Sequence, residues 1–351
     1  MKLTFRWYGP SDPVTLEQIS QIPTMSGIVS AVYDVAPGGV WRDESIAAIK
    51  SAAAAHRLAF EVVESVPVAE DIKLGTAKAP AMIDAYCENV RRLGRAGVKC
   101  ICYNFMPVFD WLRSELEHQH ADGSNSLAYD DAAVRAMNPL TSELSLPGWD
   151  ESYTKAQLRD LLHQYEVMPE EQLWRNLQTF LEAVIPVAEE AGIRMAIHPD
   201  DPPWSLFGLP RIITCEANYD RFLKLVDSPA NGLTFCTGSL GASPDNDLVH
   251  MAGKYADRIP FLHLRNILRT GDRCFHEVGH PTECGSIDMY GIAKTLVEHG
   301  FDGYVRPDHG RMIWGETGKP GYGLYDRALG ATYLNGLFEA CEKAKAESEG
   351  K

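Results

Sequence analysis

Four side chains with metal-ligand chemistry stand at or near the ends of four short apolar runs: His198 in AIHPDD, Cys236 in TFCTG, His263 in FLHLRN and Asp308 in VRPDHGR. Two imidazoles, a thiolate and a carboxylate suit an ion such as Zn, Mn or Fe(II), and the thiolate argues against Mg or Ca. Four protein ligands close a tetrahedral site, so a centre that must also accept substrate is better served by octahedral Mn or Fe. Taken singly, each residue reads more simply as a hydrogen-bonded histidine or a core cysteine. Their coincidence on consecutive runs singles them out. Arg6, Arg265, Arg306 and Arg311 lie at or just beyond run ends too, and the guanidinium fork suits a carboxylate. At least one of these arginines is expected to be plain surface charge. Strand parity puts Arg306 on one face with Asp308, and Arg6 with Tyr8.

Elements that could bring these residues together follow one rhythm: a short apolar run, a loop, a helix-period stretch, another run. Strands are expected over 3–9, 27–34, 58–65, 98–105, 193–199, 232–238, 258–266 and 303–308. Helical segments are expected over 43–56, 79–96, 170–191, 218–226, 245–255, 288–299 and 325–349. Gly97, Gly192 and Gly300 stand where helices should stop before strands. Eight such units without a tandem repeat predict an α/β fold, a closed (β/α)8 TIM barrel, with a doubly wound open sheet as the alternative. In a barrel the strand ends share one mouth, which is how ligands distant in sequence can meet. The stretch 107–168 breaks the rhythm: it is polar, holds Trp111 and Trp149, and is too long for a βα loop. It reads as a lid or oligomer contact inserted after the fourth strand of one 351-residue domain, or equally as a solvated excursion.

With 48 acidic against 33 basic side chains the formal net charge is −15, a field that repels phosphate backbones and anionic bilayers. No apolar leader opens the chain, and no uncharged run approaches bilayer length. Eight cysteines without disulfide spacing, Cys100 and Cys102 among them as core filler, point to a reducing cytoplasm. Residues 276–280 spell the zinc-protease pattern H-E-x-x-H, but Gly279 lies inside it and Pro281 follows. Glycine costs about 1 and proline about 3 kcal/mol in a helix interior, so the helix that this chemistry needs is not expected. His276, Glu277 and His280 read instead as part of a long loop, touching substrate or water. Gly321 and Gly323 form a bare GxG, and neither a phosphate-binding P-loop nor a G-x-S-x-G elbow occurs.

RWYGPSDPV, AIHPDDPPWSLFGLPRI, TFCTGSLG, FLHLRNI, RPDHGRMIWGE and KPGYGLYDRALG together closely resemble the mannonate dehydratase family, in the xylose-isomerase-like group of barrels. The resemblance spans essentially the whole chain, with 107–168 its least diagnostic part. It implies conversion of D-mannonate to 2-keto-3-deoxy-D-gluconate in hexuronate breakdown, with Mn(II) or Fe(II). By motif it implies the metal ligands His198, Cys236, His263 and Asp308, and the catalytic residues His309, Arg311 and Tyr322. Tyr325, three residues on, is hard to separate from Tyr322. Substrate contacts are expected from Arg6, Trp7, Arg265, Arg306, His276 and Tyr325.

Dehydrating an aldonate removes a weakly acidic C2 proton beside a carboxylate and expels the C3 hydroxyl, which calls for a charge-neutralising cation, a base and an acid. His309 and Tyr322 are the candidates, with the two roles unassigned. Competing readings are a metal-dependent sugar isomerase or epimerase, disfavoured by the arginines, and a DNA-repair endonuclease, disfavoured by the charge. A third is a sugar-binding protein without catalysis. The expected partner is a small sugar acid, with no nucleic acid, no membrane and a possible homo-oligomer.

Overall fold

A computed structural model describes residues 1–140 and 154–350. Eight short apolar runs form parallel strands: β1 (Lys2–Arg6), β2 (Gly27–Ser30), β3 (Ala59–Glu64), β4 (Cys100–Tyr103), β7 (Arg194–Ile197), β8 (Asn231–Cys236), β9 (Phe261–Leu264) and β12 (Tyr304–Pro307). They close into a barrel in the order β1-β2-β3-β4-β7-β8-β9-β12, β12 returning to β1 through Lys2↔Tyr304 and Leu3↔Val305. The open-sheet alternative is thereby excluded. β2, β4, β8, β9 and β12 are buried along their whole length, as parallel strands covered by helices must be. The largest covering helices are α1 (Asp43–Ala55), α2 (Ala79–Ala96), α3 (Glu170–Ala191), α4 (Met289–Glu298) and α5 (Tyr325–Ser348). Gly97 (φ 94°) and Gly192 (φ 65°) end α2 and α3 in the left-handed conformation, the stops expected from sequence.

Several strands are shorter than the sequence suggests. β8 ends at Cys236, and Thr237–Leu240 turns at once into a helix. The larger difference lies in two segments without helix period. After β4 the chain forms β5 (Glu115–Gln119), β6 (Asn125–Asp130) and the helix Asp131–Ala136; after β9 it forms β10 (Asn266–Gly271) and β11 (Cys274–Val278). These four strands pair antiparallel in the order β10-β11-β6-β5. His276 and Glu277, expected on a long loop, therefore lie on the second strand of a hairpin, with His280 just beyond it, and H-E-x-x-H is not helical here. This second sheet stands at the barrel mouth, tied to the loop after β12 by the Asn125–Met312 backbone pair. Trp149 lies outside the described residues.

Candidate active site and metal centre

Arg6 closes β1, Glu64 closes β3, His198 follows β7, Cys236 closes β8, His263 sits inside β9 and Asp308 follows β12. The four sequence-proposed ligands converge. His198 Nε2 lies 3.1 Å from His263 Nδ1, Cys236 Sγ 3.6 Å from Asp308 Oδ2, and His263 Nδ1 3.8 Å from Asp308 Oδ1. One donor atom from each of His198, Cys236 and His263 falls within 4.8 Å of the other two.

Their neighbours fix which atoms face inward. His198 Nδ1 is 2.7 Å from the Pro199 carbonyl, which can only accept, so that nitrogen carries the proton and Nε2 is bare. Glu64 Oε2 stands 3.4 Å from His263 Nε2; a proton there leaves Nδ1 bare, as a carboxylate behind a ligating imidazole usually arranges. Two lone pairs then face one another across 3.1 Å, a geometry that calls for positive charge between them. Asp308 Oδ1 and Glu64 Oε2 are buried without an aligned hydrogen bond, although Arg306 Nη2 stands 2.6 Å from the former. The Ser239 hydroxyl donates to Cys236 Sγ at 3.1 Å. Orphaned oxygens, opposed lone pairs and a supported sulfur fit a divalent cation. Glu64 and Cys102 form a second grouping on the same His263, but burial pushes the Cys102 thiol well above its usual range, making it the poorer ligand.

Beside this cluster runs a hydrogen-bonded chain. Glu277 Oε1 accepts from His309 Nδ1 at 2.7 Å, and His309 Nε2 accepts from the Tyr322 hydroxyl at 2.9 Å. A carboxylate orienting an imidazole that meets a hydroxyl is the logic of a proton relay. Trp111 packs on the His309 ring with centroids 4.8 Å apart. Burial pushes the Tyr322 phenol well above its ordinary range.

The relay rests on a buried lattice of charge. Arg113 grips Asp201 with two bonds of 2.9 and 3.0 Å and reaches Glu277 at 3.2 Å. Arg265 donates to Asp201 at 2.7 Å, to Glu277 at 2.9 Å and to Asp308 at 2.8 Å. Burial would push these carboxyls up, but Arg113 and Arg265 hold Asp201, and His309 with Arg265 holds Glu277, below the usual carboxylate range, while His309 and Arg306 hold Asp308 well below it. Gly238 makes room for the hub, since a Cβ there would stand 2.4 Å from the Arg265 guanidinium.

A cavity of about 370 Å³ opens over the cluster, bounded by Arg6, Tyr8, Trp111, His198, Arg306, Asp308, His309, Lys319 and Tyr322 among others. Of the sequence-proposed substrate contacts, only Arg6 and Arg306 line it. Trp7 is buried in the core on the opposite face of its strand from Arg6 and Tyr8, as alternation requires. Arg265 is consumed by three carboxylates below the cavity. Arg311 pairs with Asp326 at 3.0 Å and Asp122 at 3.1 Å, outside the lining. Tyr325 is 42% exposed and packs on Trp314, and His276 stacks on His118 on the second sheet. Sequence reasoning passed over Glu64, Asp201, Arg113 and Lys319, and left Glu277 on a loop, touching substrate or water. Glu64, a carboxylate at a strand end, carried the same signal as the residues that were found. Lys319 Nζ stands 4.2 and 5.5 Å from the centroids of the Tyr8 and Tyr322 rings; among the described residues no carboxylate lies within 4.0 Å of it.

A family model described as D-mannonate dehydratase (UxuA) matches residues 1–348. The chain belongs to the D-mannonate dehydratase family. Mannonate dehydratase 2 of Halalkalibacterium halodurans is 56% identical over 342 residues, 97% of this chain and 99% of that one. Mannonate dehydratase of Streptococcus agalactiae serotype III is 54% identical over 345 residues, 98% of this chain and 99% of that one. The solved mannonate dehydratase of Streptococcus suis serotype 2 superposes with a TM-score of 0.92 at 47% identity, covering 98% of this chain and 96% of that one. An L-ribulose 3-epimerase structure, at 13% identity and a TM-score of 0.57, shares the barrel with this dehydratase family and no more. Among the described residues no helix is long and apolar enough to cross a membrane.

Proposed function

We propose that this member of the D-mannonate dehydratase family converts D-mannonate to 2-keto-3-deoxy-D-gluconate and serves hexuronate breakdown in the cytoplasm. Full-length kinship supports the reaction, and eight cysteines without a disulfide suit a reducing compartment. The observation that carries the reading is the Glu277–His309–Tyr322 chain lying against the His198, Cys236 and His263 grouping and its neighbour Asp308. A divalent ion held by His198, Cys236, His263 and Asp308, Mn(II) or Fe(II) in our reading, would neutralise the substrate carboxylate and favour loss of the C2 proton.

The protein's own residues supply the rest. Lys319, which like Arg6 lines the cavity without a carboxylate ion-pair partner among the described residues, meets the substrate carboxylate. His309, oriented by Glu277, takes the proton from C2, and the freed electron pair spreads into the carboxylate that Lys319 meets. That pair then forms the C2–C3 double bond as the C3–O bond breaks, Tyr322 donates its proton, and water leaves. The enol left at C2 becomes the ketone by moving its hydroxyl proton to C3. The proton on His309 returns to Tyr322 along their 2.9 Å contact, resetting both groups. A ketose or epimerase substrate has no carboxylate for Lys319 to meet, which disfavours an isomerase.

The test is to incubate the purified protein with mannonate and measure 2-keto-3-deoxy acid. His309→Asn and Tyr322→Phe should each lose on the order of 10²–10⁴ in kcat with bound metal retained. In deuterated water Tyr322→Phe should still exchange the C2 hydrogen, and His309→Asn should not. Full turnover by both variants would show that neither is the proton carrier.

A further inference from the structure

The second sheet carries a cluster that the dehydration does not use. His118 on β5 and His120, just past its end, lie two apart in extended chain and so share a face. His276 on β11 meets them across the intervening β6: its ring stacks on His118 with centroids 4.9 Å apart and lies 5.1 Å from His120. The register explains how side chains two strands apart can touch. His118 pairs with Ser126 and His276 with Ala128, so the middle strand presents only small side chains beneath the rings. One nitrogen from each of the three histidines falls within 4.8 Å of the other two.

The surrounding bonds leave bare nitrogens there. The single Ser126 hydroxyl proton goes to the Glu277 carbonyl at 2.7 Å, so Ser126 Oγ must accept from His120 Nε2 at 2.8 Å. That places the His120 proton on Nε2 and leaves Nδ1 unprotonated. Glu115 Oε2 lies 3.2 Å from His118 Nδ1 and can only accept, leaving His118 Nε2 unprotonated. A hydroxyl and a carboxylate behind two imidazoles form the kind of outer shell that holds metal-binding histidines in register. The His118 side chain is 36% exposed, which gives an ion a path in from solvent.

We propose that His118, His120 and His276 form a second metal site, selective for a first-row divalent cation of the Zn(II), Co(II) or Ni(II) class, on the second sheet outside the catalytic cavity. Three neutral imidazoles favour such ions over Mg or Ca. His276 and Glu277 are consecutive on β11, so a cation on one face braces the strand that presents Glu277 to His309 on the other.

Cobalt(II) separates this site from the barrel site, because only the latter offers a thiolate. Wild-type protein stripped of metal and dialysed against Co(II) should take up two equivalents, one of them with the sulfur-to-cobalt absorption of Cys236. His118→Ala should bind the thiolate-free equivalent at least ~10-fold more weakly, and His118→Ala/His120→Ala should lose it, both with the sulfur band intact. If the double variant does not fold, the single substitution at the half-exposed His118 carries the test alone. Uptake by the wild type of the sulfur-banded equivalent alone, or undiminished thiolate-free binding by His118→Ala, overturns the proposal. Absence of the sulfur band with a histidine-dependent equivalent retained would count against the barrel site and leave this one standing.

Discussion

Replacing Glu277 with glutamine keeps the shape of the side chain and removes its charge. Glu277 does not line the cavity, and it reaches the reaction only through His309. When His309 takes a proton, a full positive charge forms 2.7 Å from Oε1. At an effective dielectric near 20, attraction at that distance is about 6 kcal/mol, an upper bound because Arg113 and Arg265 share the same carboxylate. Losing roughly half to most of it, about 3 to 5 kcal/mol, corresponds to on the order of 10²–10⁴ in kcat. KM for mannonate should move little, since no substrate contact is lost, and metal content should be unchanged. Steady-state assay of 2-keto acid formation, with metal analysis of the same sample, reads all three quantities. If Glu277→Gln turned over within a few-fold of wild type, the relay would be reduced to packing. A fall in metal content matching the loss of rate would place Glu277 with the ligands instead.

Lys319→Ala should raise KM for mannonate by roughly 10-fold or more while kcat falls less, as expected when binding of a charged group is lost in ground and transition states alike; an unchanged KM in steady-state assay would place the carboxylate elsewhere. Arg113→Met leaves Asp201 and Glu277 with fewer counter-charges in the interior, so the urea midpoint should fall by the equivalent of about 3–5 kcal/mol, and an unshifted midpoint would show the lattice to be dispensable. Acid should weaken the fold through Asp201 and Glu277: both lie below their unfolded values of about 3.9 and 4.3, so the unfolded chain binds more protons in that range and stability grows with pH there. Urea midpoints should therefore fall steadily below about pH 5, and more gently in Asp201→Asn; a midpoint constant down to pH 3 would contradict this.

The barrel and the convergence of its candidate ligands were legible because both follow from simple periodicities. A parallel barrel gathers strand ends, so His198, Cys236, His263 and Asp308 needed only correct strand limits to be grouped. Parity also held more information than the sequence reading drew from it: Arg6 and Tyr8 face the cavity together, which already turns Trp7 into the core. The second sheet was harder to see. Its strands are short and polar on one face, and β5 pairs with β6 but β6 pairs with β11, some 145 residues on. No local pattern announces such a partner. Glu277 was hidden for the same reason, inside a motif whose protease meaning was rightly set aside but whose residues were then assigned to a loop. Arginine placement was the weakest inference. Arg265 and Arg311 stand at strand ends as a substrate clamp would, yet protein carboxylates claim both. Sequence position shows where a guanidinium starts and not which anion it meets.

The most direct measurement is X-ray absorption at the edge of the ion bound to active enzyme, repeated on Cys236→Ser. One sulfur scatterer near 2.3 Å together with imidazole nitrogens, the sulfur lost in the variant along with turnover, is the expected result. A shell of nitrogen and oxygen only, identical in both proteins, would contradict a catalytic cation seated between His198, Cys236, His263 and Asp308.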